Sequence, residues 1–232
     1  MEIEIEIKFD GENMALSAQQ KFKDASSGWD TFEPENSIFG AADGGFHWIE
    51  GDSLAPPCQA ELDIVESILD FAQLTQESVL FDLGCGDGRI CILGSQVYGC
   101  KSTGAEIEES LVAKFRANVE KQKVEHLVSV FEGDLREVDL RGATHIILYL
   151  LPESIEEITP MLVQAVNFGA TLICNTWGPR SFQPVDRRLC GANNQVNLFK
   201  YTKDSIPNME SVLSRRCDSE PMDLDSLMQT EA

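Results

Sequence analysis

Three glycines and three acids in this sequence have the types and spacing of a small-molecule cradle. The run Asp82-Leu-Gly84-Cys-Gly86-Asp-Gly88-Arg89 follows a short apolar stretch, Ser78–Leu83, and leads into a pattern of helical period. Glycines in such a turn allow a tight bend and let main-chain atoms come close to a ligand. The spacing is GxGxG, which differs from the GxGxxG of dinucleotide sites, where a pyrophosphate rests on a helix N-terminus. Asp82, two residues ahead of Gly84, suits a ligand amine or hydroxyl and would repel a phosphate. Cys85 sits inside the loop, where a small side chain suffices. Eighteen residues beyond Gly88 stands Glu106, at the end of a second predicted strand. A carboxylate there can take both hydroxyls of a ribose. A third acid, Asp134, follows a third predicted strand in Glu132-Gly133-Asp134-Leu135. In a doubly wound sheet the three acids would line the crevice at the carboxyl ends of adjacent strands.

Other chemistries find little support. His47, His126 and His145 form no spaced pair and no HExxH, and each suits a surface position or a satisfied core position. The seven cysteines (58, 85, 91, 100, 174, 190 and 217) form no CxxC pair. A scattered, odd set implies reduced thiols and no zinc site, so no metal is expected. No Ser or Cys lies in a nucleophile elbow. The segment Tyr149-Leu-Leu-Pro152-Glu153 ends the fourth predicted strand. Tyr149 either lines a reaction site, through its ring or its carbonyl, or is a core or turn residue. Glu153 either receives a substrate ammonium or complements the first turn of a helix through its dipole.

The elements that must position these residues alternate. Ala60–Gln73 places Leu62, Val65, Ile68, Leu69 and Ala72 at helical spacing. Strands are predicted at 78–83, 102–107, 127–131, 143–151 and 169–174, and helices at 89–98, 110–123 and 152–166, the last opened by Pro152. In the helix at 110–123, Leu111, Phe115, Ala117 and Val119 are the expected apolar face. Val185–Leu189 and Gln195–Tyr201 flank Gly191-Ala-Asn-Asn194 as a hairpin. This order predicts an α/β fold, a doubly wound and mostly parallel seven-stranded sheet with right-handed crossovers and one antiparallel strand near the C-terminus. Residues 51–203 form the predicted domain. Residues 1–50 are an extension that is partly loop, with 24–45 rich in Gly, Ser, Asp and Asn. Within it, Glu2–Ile7 alternates as an edge strand would. Residues 204–232 are an acidic tail expected to be mobile.

The loop and its two following acids resemble the class I S-adenosylmethionine-dependent methyltransferases over about residues 58–202. The resemblance implies S-adenosylmethionine as cofactor. Asp82, Gly84, Gly86 and Gly88, with Cys85 between them, would cradle its methionine part. Glu106 would bind the ribose, and Asp134, beside Leu135, would lie by the adenine amine. A finer match joins Phe81–Ile90, Leu148–Glu153, Trp177 and Phe182-Gln-Pro-Val185. This set looks like a subgroup of small protein-lysine methyltransferases, archaeal and mitochondrial. No N-terminal apolar anchor like that of the mitochondrial members is expected, and their Pro-rich approach to the first helix is only partly present, as Pro56-Pro57. The [DN]PP[YF] motif of enzymes acting on amides or exocyclic amines is also missing. The resemblance implies a lysine side chain of a protein as acceptor, with Tyr149 and Glu153 as candidates at the transfer site. A small-molecule methyltransferase, or a non-catalytic cofactor-binding protein, are the alternatives on the same fold.

The chain has 232 residues, 43% hydrophobic and 25% charged, which excludes disorder throughout. No window approaches the roughly 18–20 apolar residues of a membrane span. The first residues, MEIEIEIKFD, have no basic leader, and the expected location is the cytosol or the nucleus. The net charge is −21, shared as −8 over residues 1–50, −8 over 51–203 and −5 over 204–232. That sign opposes nucleic-acid binding and favours a basic protein partner. The sequence leaves the oligomeric state open.

Overall fold

The computed structural model describes residues 11–29, 59–191 and 193–206. The alternating stretch 2–7, His47, Pro56-Pro57, Cys58, most of the loop read at 24–45 and the tail beyond 206 lie outside these residues. The elements are α1 (Gly11–Ser26), α2 (Leu62–Ala72), β1 (Val79–Leu83), α3 (Arg89–Tyr98), β2 (Lys101–Glu106), α4 (Glu109–Gln122), β3 (Val128–Glu132), β4 (His145–Leu148), α5 (Pro152–Asn167), β5 (Thr171–Asn175), β6 (Asp186–Cys190) and β7 (Val196–Tyr201).

The strands form one seven-stranded sheet in the order β3-β2-β1-β4-β5-β7-β6. The pairs from β3 to β5 are parallel, and β7 runs antiparallel to both β5 and β6. The expected mostly parallel sheet with one reversed strand is the sheet observed. Its central strands are buried on both faces, which is why they appear in the sequence as continuous apolar runs. Ile146 and Leu148 of β4 pack with Ile155, Ile158 and Leu162 of α5 on one face. Ile147, between them, points to the other face and packs with Ile68 of α2 and Leu93 of α3.

Three elements differ from expectation. Helix α1 extends into the stretch read as loop and ends at Ser26. Its turn signals lie beyond its end, and Phe22 is buried against α2 and α3. The fourth strand is shorter than predicted and stops at Leu148. Leu150 is fully buried in the connection to α5, so its apolar character reflects the core and no strand. In α4 the buried face is Val112, Phe115 and Val119, while Ala117 is exposed.

β2 has the least strand-like composition, Lys-Ser-Thr-Gly-Ala-Glu. Gly104 is required there by packing. A Cβ at that position would stand 2.6 Å from both the Cys85 Sγ and a ring carbon of Phe115. The strand thus lets the glycine loop and α4 close against it. No described helix is long and apolar enough to cross a membrane.

Candidate functional site

The glycine loop joins β1 to α3 at the carboxyl edge of the sheet. Gly84, Gly86 and Gly88 all have positive φ (82°, 55° and 80°). Their roles differ. A Cβ on Gly88 would lie 1.9 Å from Phe115 Cδ2, whereas one on Gly86 would meet nothing within 4 Å. Gly88 is therefore a packing glycine, and Gly86 faces open space where a ligand can approach. The main-chain N–H groups of Gly84 and Cys85 both donate to the Ala105 carbonyl, at 2.9 and 3.0 Å, which fixes the loop to β2.

Asp82 lies at the fourth position of β1 and is only 4% exposed. Burial raises its carboxyl pKa to about 8, helped by the charges of Glu106 and Asp87. No hydrogen bond to this carboxylate forms among the described residues, and none lowers its pKa. A buried acid without a donor is costly unless a partner arrives. A cationic ligand amine is the partner that would restore its charge.

Glu106 ends β2 and reaches across to the loop. Its Oε2 accepts the Gly86 N–H at 2.9 Å, and its Oε1 accepts the N–H groups of Ile107 and Glu108 at 3.0 Å. The side chain is thus held against the main chain of the loop at Gly86. Asp134 follows β3 and caps a short 3-10 turn, Leu135–Glu137. Both of its oxygens accept from Arg136 Nε at 2.9 Å, and this pairing lowers its pKa. Adjacent strands do bring Asp82, Glu106 and Asp134 to one edge, as the spacing predicted. Cys85 and Leu135 turn their side chains into the core, so any ligand contact they make goes through main-chain atoms. Burial also pushes the Cys85 thiol pKa well up, which makes it inert.

At the neighbouring strand ends, Tyr149 follows β4 and stacks on Trp177, with ring centroids 6.4 Å apart and planes 15° apart. Trp177 is reached through Thr176, a β-branched residue at φ 66°. That conformation costs on the order of 1–3 kcal/mol and persists only where the surroundings enforce it. Here the Thr176 N–H donates to the Asn197 carbonyl at 2.7 Å, and its hydroxyl donates to Asn175 Oδ1 at 2.9 Å. Trp177 also borders a cavity of about 410 Å³ lined by Pro152, Phe182, Phe199 and Tyr201. Glu153 is exposed in the first turn of α5.

Sequence reasoning missed the pair Asp87–Arg89. Both side chains are buried, and Arg89 donates to Asp87 through Nε at 3.0 Å and Nη2 at 2.9 Å. The acid and base two residues apart were visible in the sequence. Their distant partners were not, because those come from segments 29 or more residues away, at Ala60, Gln59 and Asn118. Among the described residues no group of three or more His, Cys, Asp or Glu could hold a metal ion.

The buried donorless Asp82, the open side of Gly86 and the extended reach of Glu106 fit an amino-acid–nucleoside ligand. Comparisons with known proteins agree. A family model described as the ANTKMT methyltransferase domain matches residues 82–186. A protein-lysine N-methyltransferase of Saccharolobus islandicus is 31% identical over 122 residues, which are 52% of this chain and 76% of that protein. A carboxy-S-adenosyl-L-methionine synthase of Shewanella baltica is 24% identical over 170 residues, 69% of this chain and 67% of the relative. Among solved structures, an RNA methyltransferase from Salinibacter ruber in complex with S-adenosyl-L-homocysteine superposes with a TM-score of 0.61 and 30% identity. It covers 65% of this chain and 97% of its own. The cofactor of this fold and family is S-adenosylmethionine. The chain belongs to the class I S-adenosylmethionine-dependent methyltransferases and, within them, resembles the protein-lysine methyltransferase subgroup.

Proposed function

We propose that this methyltransferase acts on lysine side chains of a basic protein. The observation that carries the reading is the Tyr149–Trp177 aromatic wall at the carboxyl ends of β4 and β5. The cofactor, when bound, supplies an already activated methyl group. The protein's work is then to align the acceptor and exclude water. A lysine acceptor must be neutral, but its reference pKa is about 10.4, so deprotonation at pH 7 costs roughly 4–5 kcal/mol. Aromatic walls strip water from the amine and lower that pKa without a general base. The relative from Saccharolobus islandicus and the net charge of −21 support the same acceptor class.

Cofactor binding is assigned to Asp82 and Gly86 with Glu106 as ribose acceptor, and to the region of Asp134 for the base. Charge-assisted hydrogen bonds contribute roughly 1.5–3 kcal/mol each. Glu106→Ala should therefore weaken S-adenosylhomocysteine binding at least about tenfold. It should do so through two losses, the ribose acceptor and the anchor of the Gly86 N–H. Isothermal titration checks this, and an unchanged Kd would remove Glu106 from the ribose.

The acceptor is tested by transferring a labelled methyl group into a protein extract and mapping the product by mass spectrometry. Mono-, di- or trimethyl-lysine is the expected product. The rate with the mapped substrate should fall as salt rises, because a Debye length of about 10 Å at 0.1 M screens the attraction of an acidic enzyme for a basic protein. Label confined to small molecules would overturn the reading. So would label in RNA, the acceptor class named for the Salinibacter ruber structure.

A further inference from the structure

We infer that Arg89 is a positioning residue that couples the N-terminal helix to cofactor affinity, with Trp29 as the remote end of the coupling. The inference rests on the glycine loop holding the cofactor. Asp87 lies between Gly86, which faces open space, and Gly88, which packs on Phe115. Its carboxylate turns inward onto the Arg89 guanidinium, and its carbonyl accepts from Asn118 Nδ2 at 3.0 Å. Asp87 is therefore an anchor of the loop, held from α3 and α4 together.

Arg89 has more donors than Asp87 uses. Its Nη1 donates to the Ala60 carbonyl at 2.7 Å, and its Nη2 also donates to Gln59 Oε1. The guanidinium carbon lies over the Trp29 ring, 5.9 Å from the centroid. One buried cation thus ties the cofactor loop, the approach to α2 and the end of α1. A planar fork can hold such partners in one geometry, which an ammonium cannot. Nothing, Trp29 included, lies within 4 Å of the Cβ direction of Gly86. Trp29 also packs against the buried cluster that holds Cys85 and Phe115; the route assigned to its influence on the cofactor runs through Arg89 and Asp87.

Coupling of this kind is reciprocal. Docking of Trp29 favours the loop geometry that binds cofactor, and cofactor favours docking of α1. Two measurements on the full chain test it. The first is isothermal titration of S-adenosylhomocysteine into the wild type, Trp29→Ala, Trp29→Phe, Arg89→Met and the Trp29→Ala/Arg89→Met double variant. Trp29→Ala should weaken binding about five- to thirtyfold. Trp29→Phe, which keeps a ring beneath the guanidinium, should recover to within about threefold. In the Arg89→Met background the loss of Trp29 should have no further effect on Kd. The second is hydrogen exchange over residues 18–29 of the wild type, which should slow when S-adenosylhomocysteine is added.

A purely structural Arg89 would leave that exchange unmoved by cofactor. Exchange at 18–29 that ignores bound ligand, or a Trp29→Ala Kd within twofold of wild type, overturns the coupling. Additive Kd losses in the double variant overturn the route through Arg89. A wild type that binds no S-adenosylhomocysteine would refute the loop assignment itself, a distinct result. The exchange measurement needs no variant, so instability of Trp29→Ala would not obscure the outcome.

Discussion

Asp82→Asn should bind S-adenosylmethionine at least about fifteenfold more weakly than the wild type, with no loss of folded stability at pH 7. The carboxylate is buried, no donor among the described residues meets it, and its pKa stands at about 8. Ligand-free, it is largely protonated at neutral pH, so an amide of the same shape replaces it with little effect on packing. With the cofactor amine present, the wild type ionises and forms a charge pair in a site of low dielectric. Breaking a buried pair by removing one partner costs about 3–5 kcal/mol. Part of that gain is spent on ionising Asp82, about 1.4 kcal/mol per pH unit below its pKa.

The same shift fixes two pH dependences. In the unfolded chain Asp82 titrates near 3.8, and in the folded chain near 8. Between those values the folded state holds the extra proton, so ligand-free stability falls as pH rises from about 4 to about 8. The asparagine variant should lack this component of the slope. Cofactor affinity moves the other way, because the ligand selects the ionised acid. Between pH 6 and 7.5 the wild-type Kd should tighten by up to about tenfold per unit, and binding should release a proton. Titration calorimetry in buffers of different ionisation enthalpy measures that proton. A buffer-independent heat, or an Asp82→Asn Kd close to wild type, would show that Asp82 does not face the cofactor's amine.

The sheet was legible because its cause is local. Buried parallel strands have apolar runs, and the loops between them have glycine and acid signals at strand ends. Asp82, Glu106 and Asp134 could be placed on adjacent strands from spacing alone, and β1 to β3 do run side by side. What the sequence hid depends on contacts between distant segments. Arg89 was visible as the first residue of a helix, but Gln59, Ala60 and Trp29 become its partners only after α1 and α2 dock. The length of β4 was overread for a similar reason. Leu150 is apolar because the core under α5 needs it, and periodicity cannot separate that need from strand burial. Trp177 carried no chemical signal of its own. Its stacking on Tyr149 follows from the left-handed turn at Thr176, a residue type for which sequence patterns predict no such turn.

The three loop glycines divide by function, and alanine at two of them should separate the effects. Gly88→Ala should lower the melting temperature by about 10 °C. Its φ of 80° already disfavours a side chain, by about 1–2 kcal/mol. The new methyl would also overlap the Phe115 ring at 1.9 Å, and that ring is fully buried among Cys85, Cys91 and Ile92. Overpacking a core of this kind costs about 1–3 kcal/mol or more. The sum is a large share of the roughly 5–15 kcal/mol that holds a domain together. Each kcal/mol moves the midpoint of a chain of this size by about 2–4 °C. Gly86→Ala pays the conformational cost alone, since nothing lies within 4 Å of its Cβ direction. Its melting temperature should fall by only a few degrees, while the methyl group enters the ligand's side of the loop and weakens S-adenosylhomocysteine binding at least about tenfold. Thermal unfolding and isothermal titration of the two variants read both effects. Adding Phe115→Leu to Gly88→Ala should restore part of the lost stability, because a smaller side chain vacates the overlap. If Gly88→Ala melts within a few degrees of wild type, the close approach of the loop to α4 is not what requires glycine there. If Gly86→Ala binds the ligand as tightly as wild type, the open side of the loop is not where the cofactor lies.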